Sequence, residues 1–470
     1  MFSLPESRPP NPKALEDVPR QAPITPHEKL TIATAARRVR EGALTCMELL
    51  TKALQQIRQQ NSKLNAFVHI MEEEALRHAE TLDAERKRGH LRGPLHGIPI
   101  SVKDVIHVQG VKTTASSKVM ADFVPPYDAT AVALLKKMGA VIIGKTSTHE
   151  FALGVTTPQS RNPWDPTRLP GGSSGGSAIS IATGMSLGSL GTDTRASIRI
   201  PASLSGVVGY KPTFGLVSTY GVVTLSWSMD HVAPMASTVE DIALLLNVIV
   251  GHDPKDPATV DRPKEDYIRY LRKSIKGLKL GVPVYSLYDA HWEVESAFGE
   301  AIRTFQTLGA EVTRIEEPGL EDFQQVNAAG LIVSRCEAAA FHRSFSTRRS
   351  LYTEDVFEQL DEASSVLATN YIQAQRFRAH FLERMLTLFR RFDALAMPTS
   401  PVPAPRIEES ERFLLILSRN CVPWSFIGFP AISTPCGITS NRLPIGLQLV
   451  GAPFTDGIIL ALASAFEGTH

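Results

Sequence analysis

GGSSGGSAISIATGMSLGSLGTDTRASIRIPA, Gly171–Ala202, has the composition of a flexible linker but the spacing of a core segment. Ile179, Ile181 and the run Met185–Leu190 supply the apolar positions of a buried helix followed by a strand. The strand runs into GTDTRASIRIP, Gly191–Pro201, with Ser197 where a tight loop turns into a helix. At such a place the first-turn N–H groups have no intrahelical acceptor and can stabilise an oxyanion. The plain alternative for Ser197 is an N-cap serine. Ser173 lies in PGGSSGGSA, where flanking glycines permit strained conformations and close backbone approach, although a loop or linker also has this composition.

Upstream, helix and strand patterns alternate. His27 to Gln60 has helical apolar spacing interrupted at Gly42, and Thr45 with Glu48 forms a capping-box signature for a second helix. NAFVHIM reads as a strand, Glu72 to Arg88 as a charged helix, and HGIPISVKDVI as an apolar strand. Asp128 is placed to cap the helix ATAVALLKKMG, and AVIIGKT follows as a β-branched strand. Downstream, the pattern predicts a charged helical segment around Asp253 to Lys276, a strand at LKLGVPV, mainly helical structure from Glu293 to Arg391, and a strand at DALAMPT. FPAISTPCG and LPIGLQLVGAP return to strand. Such alternation defines an α/β class: a large mixed, mostly parallel β-sheet covered by helices on both faces.

The 470 residues can bury a large core. We expect an extended N-terminal arm over 1–26, whose first 23 residues carry six prolines and no apolar h-region, and a single domain over 27–470 with a mainly helical insertion at about 290–392. Lys plus Arg number 49 against 48 Asp plus Glu, which offers no electrostatic footprint for nucleic acid or an anionic membrane and points to a small, nearly uncharged substrate. No apolar run reaches the length of a membrane span. Cys46, Cys336, Cys421 and Cys436 form no CxxC pair, which favours a reducing, cytoplasmic setting over zinc or disulfides.

Of the 13 histidines none lies in HExxH, so zinc hydrolysis lacks its helical ligand pair. GGSSGGSA lacks the lysine of a phosphate-binding P-loop, and no G-x-S-x-G elbow is present. Lys103 is the unexpected residue, because it sits within IPISVKDVI. Burial would disfavour its charged form and make it a base near neutral pH. The alternative is an edge-strand lysine paired with Asp104.

Taken together, Lys103, Ser173 and Ser197 resemble the amidase signature family. The resemblance runs from about Leu30 to the C-terminus through GPLHGIPISVKDVI, PGGSSGGSA, GTDTRASIRIPASLSGVVGYKPTFG, MDHVAPMA and GFPAISTPCG…LPIGLQLVG. The 24 positions between the two serines match the family's spacing. It implies the amidase-signature fold, Ser197 as nucleophile, Ser173 as a bridging serine, usually on a cis peptide bond, and Lys103 as base, with backbone N–H groups of Thr194, Arg195, Ala196 and Ser197 as oxyanion donors. Neutral Lys103 would accept a proton from Ser173, Ser173 one from Ser197, and Ser197 would attack the carbonyl and be deacylated by water. Asp193 and Arg199 would shape the loop.

The implied activity is amidohydrolysis of a C–N bond in an amide, a carbamate or a related acyl nitrogen compound, without metal or other cofactor, on a small-molecule substrate. A homodimer is among the assemblies the resemblance allows. The alternatives are the glutaminase (A) subunit of a tRNA-dependent amidotransferase, against which SRNCVPWSFIGFPAIS offers no acidic residue for an α-amino group, and a non-catalytic amidase-like scaffold. Two departures from the family are visible: Arg195-Ala196 replaces Gly-Gly before the nucleophile, and the loop GVTTPQSRNPWDPTRLPGG is short. A non-glycine residue forced to positive φ there would strain the oxyanion loop. Arg195 is a candidate for binding a substrate carboxylate or carbonyl, and Phe151, Leu153 and the stretch around Trp227 to Asp230 are candidate pocket walls.

Overall fold

In the computed structural model residues 30–469 are described. The arm expected over 1–26 lies outside the described residues. The strands are β1 Phe67–Ile70, β2 Pro99–Lys103, β3 Val141–Thr146, β4 Gly188–Asp193, β5 Val208–Lys211, β6 His231–Ala236, β7 Lys279–Pro283, β8 Glu311–Ile315, β9 Ala394–Pro398, β10 Ala431–Ile438 and β11 Pro444–Val450. They form one 11-stranded sheet in the order β1-β3-β2-β4-β6-β5-β10-β11-β9-β7-β8.

The sheet is mixed, as expected, but it is not mostly parallel. β2 runs parallel to β3 and β4, and β7 to β8 and β9. The pairs β1/β3, β4/β6, β5/β6, β5/β10, β10/β11 and β9/β11 are antiparallel and outnumber them. Alternation of helix and strand says that a crossover exists, not what lies between its strands. The helix Arg199–Ser205 carries the chain from β4 to β5, yet β6 returns between the two and is antiparallel to both.

Every residue of β2, β3, β4, β5, β6, β9 and β11 is buried, which requires cover on both faces of the sheet. β6 shows how the faces divide. Val232 and Ala236 belong to the main core, whereas Ala233 and Met235 join Ala178, Ile181, Ile198 and Ala202 in a separate cluster beneath the helices Gly175–Ala182 and Arg199–Ser205. The capping box on Cys46–Leu64 is present, with Thr45 and Glu48 satisfying each other's backbone N–H groups.

Three local expectations are corrected. Asp128 does not cap the helix Thr130–Lys137, whose N-cap is Ala129; its carboxylate instead accepts from Gln109 N at 2.8 Å and pairs with Lys136. Asp253 to Lys276 contains only the short 3-10 turn Tyr267–Tyr270, because Asp253 and Asp256 bind Ser218, Thr130 and Thr219 rather than solvate a helix. The mainly helical stretch also contributes β8 to the sheet edge. Among the described residues no helix is long and apolar enough to cross a membrane.

Candidate active site

The parallel pairing of β2 with β4 puts Lys103 beside the C-terminal end of β4, since Val102 stands opposite Leu190. Lys103 is not on an edge, and Asp104 pairs with Lys145 at 3.1 Å rather than with Lys103. The Lys103 side chain is fully buried. Its amine donates to Ser173 Oγ and Thr192 Oγ1, both at 2.8 Å. Burial drives its pKa from 10.5 down to about 7, against an opposing pull from the charges of Asp193 and Asp230. The lysine is thus largely neutral a little above pH 7, the state that a base requires.

Ser173 lies just before Ser174, the N-cap of the helix Gly175–Ala182, and the Gly172–Ser173 peptide is cis. The glycines before it are dictated by space. A Cβ on Gly172 would lie 1.9 Å from the carbonyl oxygen of Thr156, and Gly171 has φ +79° with Pro201 Cα 2.9 Å from a would-be Cβ. No other residue brings this loop so close to its neighbours. Ser174 ties it to the loop that carries Ser197: its N–H donates to the carbonyl of Ser197 at 3.1 Å, and its hydroxyl to the carbonyl of Thr192 at 3.1 Å.

Residues 193–199 form a braced turn. Asp193 and Arg199 are fully buried and paired at 3.0 Å, and Asp193 also accepts from the N–H of Ile198. Burial alone would raise the Asp193 pKa, but the Arg199 charge and hydrogen bonds outweigh it and hold the pKa at about 2. Arg199 donates as well to the carbonyls of Arg195 and Cys421, to Gln448 Oε1 and to Ser425 Oγ. Because a trans peptide sets C=O and N–H in opposite directions, fixing the Arg195 carbonyl on Arg199 turns the Ala196 N–H away from it. Similarly, the Ala196 carbonyl accepts from Ile200 N at 3.0 Å, which directs the Ser197 N–H off the helix start. Among the described residues no acceptor takes the N–H of Thr194, Arg195, Ala196 or Ser197. Neither Arg195 nor Ala196 has positive φ, so this turn forms without the glycines whose absence stood out in the sequence.

The turn is also held from the side. Thr194 Oγ1 donates to Asp230 at 2.6 Å, and Asp230 accepts from the N–H groups of Leu225 and Ser226. Burial pushes the Asp230 carboxyl up to about 6 against these hydrogen bonds. The helix Leu320–His342 anchors the same loop through Glu337, which accepts from Ser226 Oγ and from the N–H and hydroxyl of Ser228. Of the candidate pocket walls, Phe151 and Leu153 are buried, Phe151 in an aromatic cluster with His342, Phe345 and Tyr352, while Trp227 is 54% exposed. The sequence did not single out Thr192 or Glu337, and it offered Asp230 only as part of a pocket-wall stretch. Thr192 lies in the same GTDT motif and on the lysine's neighbouring strand, so pairing β2 with β4 would have found it; Glu337 carries no local signal.

The amidase family model matches residues 48–460. The A subunit of the glutamyl-tRNA(Gln) amidotransferase of Myxococcus xanthus is 37% identical, covering 94% of this chain and 97% of that protein. Among solved structures, a chain from a vestigial protein complex bearing on the evolutionary origins of an s-triazine catabolic enzyme superposes with a TM-score of 0.88 at 32% identity, covering 93% of this chain and 98% of that one. A crystal structure of an amidase gives a TM-score of 0.83 at 33% identity, with coverage of 93% and 99%. The chain belongs to the amidase family, with the amidase-signature fold. Its chemistry is hydrolysis of carbon–nitrogen bonds.

Proposed function

We propose that the protein is a serine amidohydrolase in which Ser197 attacks an amide carbonyl while Ser173 and Lys103 carry its proton. The observation that carries this reading is the enclosed Lys103 amine donating to Ser173 Oγ at 2.8 Å, with its pKa depressed to about 7. In its neutral form the same nitrogen offers a lone pair to the Ser173 proton, and Ser173 in turn can accept from Ser197. The tetrahedral oxyanion is met by the unclaimed N–H groups at 194–197, and removal of one such donor typically costs about 3 kcal/mol of barrier. Reversal of the relay protonates the departing nitrogen, and water then releases the acyl group. The reading has no step for a metal or cofactor.

A fluorophosphonate probe tests the nucleophile. Wild type is expected to be labelled at Ser197, and Ser197→Ala is expected to lose both label and amide turnover. Equal labelling of the variant would overturn the assignment.

The similarity to the A subunits of amidotransferases favours a second reading, glutamine hydrolysis within a multisubunit assembly. Against it, the helix Val422–Phe426 and its flanks offer no carboxylate for an α-ammonium group, and Ser425 there is engaged with Asp193 and Arg199. Ammonia release from glutamine, with and without the partner chains of such an enzyme, separates the two.

A further inference from the structure

Among the described residues, Arg195 and Arg335 form no ion pair. Arg195 precedes Ser197 by two residues; among the described residues its Nε is enclosed without a hydrogen bond, and its Nη2 reaches only Asn327 Oδ1, at 3.3 Å. Asn327 is held for this contact, since its own Nδ2 donates to the carbonyl of Phe323 at 2.8 Å. Arg335 lies eight residues further along the same helix, close enough for its charge to act on Arg195. Among the described residues Arg335 makes no side-chain hydrogen bond. Glu362 and Asp355 favour its charge without reaching ion-pair distance, and Asp355 stands instead 3.4 Å from His149. Burial and the Arg335 charge both hold the Arg195 guanidinium below its ordinary value.

Among the other enclosed cations, Lys103 and Lys211 rest on hydroxyl and carbonyl oxygens and burial drives their pKa values down to about 7, whereas two others are ion-paired. Arg199 is matched by Asp193, and Lys145 by Asp104. An enclosed guanidinium N–H without an acceptor, such as the Nε of Arg195, is costly unless an anion completes it. A guanidinium pair offers planar, two-pronged donor sets suited to a carboxylate.

We propose that Arg195 and Arg335 form the anion end of the substrate pocket, and that the amide cleaved at Ser197 carries a free carboxylate bound between them. This rests on the reading of Ser197 as nucleophile and deepens it. It replaces the nearly uncharged substrate suggested by the balanced net charge. An α-ammonium group would be repelled by the same pair, so the class is the monoamides of dicarboxylic acids rather than amino-acid amides.

The test compares malonamate, succinamate and glutaramate with propionamide, butyramide and pentanamide of matched chain length. For wild type, kcat/KM is expected to favour one of the acids by roughly tenfold to a hundredfold, the worth of hydrogen bonds to a charged group. Arg195→Met and Arg335→Met are each expected to cut that preference by about tenfold or more, mainly through KM, and Arg335→Lys to retain part of it. The preference is a ratio, so general damage to the oxyanion turn cancels. Turnover of the neutral amides with no preference for any acid would overturn the proposal while leaving the Ser197 reading intact.

Binding supplies a readout that needs no turnover. Calorimetry of Ser197→Ala is expected to show the preferred acid amide binding, and to show that binding lost when Arg335→Met is added. Binding indifferent to both arginine substitutions would overturn the proposal even if the nucleophile were reassigned. Circular dichroism verifies folding; should Arg335→Met fail to fold, Arg335→Lys and the wild-type preference decide.

Discussion

At the scale of single residues, the site depends on which buried charges are paired and which are not. Arg199 is paired with Asp193 and donates to the carbonyl of Arg195, whereas Lys103 is left to two hydroxyls and loses its charge near neutrality. Removing one member of a buried pair strands the other, so Arg199→Met is expected to destabilise the fold by about 3–5 kcal/mol in urea unfolding and to slow turnover as the turn loosens. A loss below about 1 kcal/mol would show that the pair does not brace the turn. Lys103 in an apolar strand and Ser173 among glycines drew attention by residue type, but their proposed roles, and that of Ser197, came from the order and spacing that resemble the amidase signature family. The partner of Lys103 was not legible, since Asp104 is adjacent in sequence but alternation along β2 turns it to Lys145.

At the scale of elements, the strands with continuous β-branched or apolar runs were evident in the sequence, as was the capped helix Cys46–Leu64. β8 was not, because EVTRI is mostly exposed at the sheet edge and shows no apolar alternation against its helical surroundings. The aspartates of 253–276 misled for a related reason: a side chain that binds a neighbouring loop looks, in sequence, like one that solvates a helix. The glycine-rich loop before Gly175–Ala182 was recognised as structured, and its glycines are fixed by contact with Thr156 and Pro201. Gly172→Ala is therefore expected to cost about 1–3 kcal/mol or more of stability and to displace Ser173, lowering kcat. Thermal unfolding and steady-state kinetics check both, and a variant with unchanged melting and kcat would refute the close approach.

At the scale of the whole molecule, one sheet brings together residues far apart in the chain. Lys103 lies on β2, Thr192 on β4, and the helix Leu320–His342 reaches the turn through Glu337 and Asn327. No spacing rule links Arg335 to Arg195, so that half of the site was invisible until the topology was known. The fold also provides the chemistry: helices covering both faces of the sheet exclude water from Lys103, and this lowers its pKa more than Asp193 and Asp230 raise it. In the proposed relay the neutral amine is the base, so kcat/KM should rise as pH climbs through the folded-state pKa and level off above it. The most direct measurement is a nitrogen-15 NMR titration of the Lys103 amine in the folded enzyme, assigned by its absence in Lys103→Met, which also distinguishes it from the buried Lys211. A midpoint near 7, coinciding with the rise in kcat/KM, is the predicted result; a Lys103 that keeps its proton up to the ordinary lysine value of 10.5 would contradict the relay.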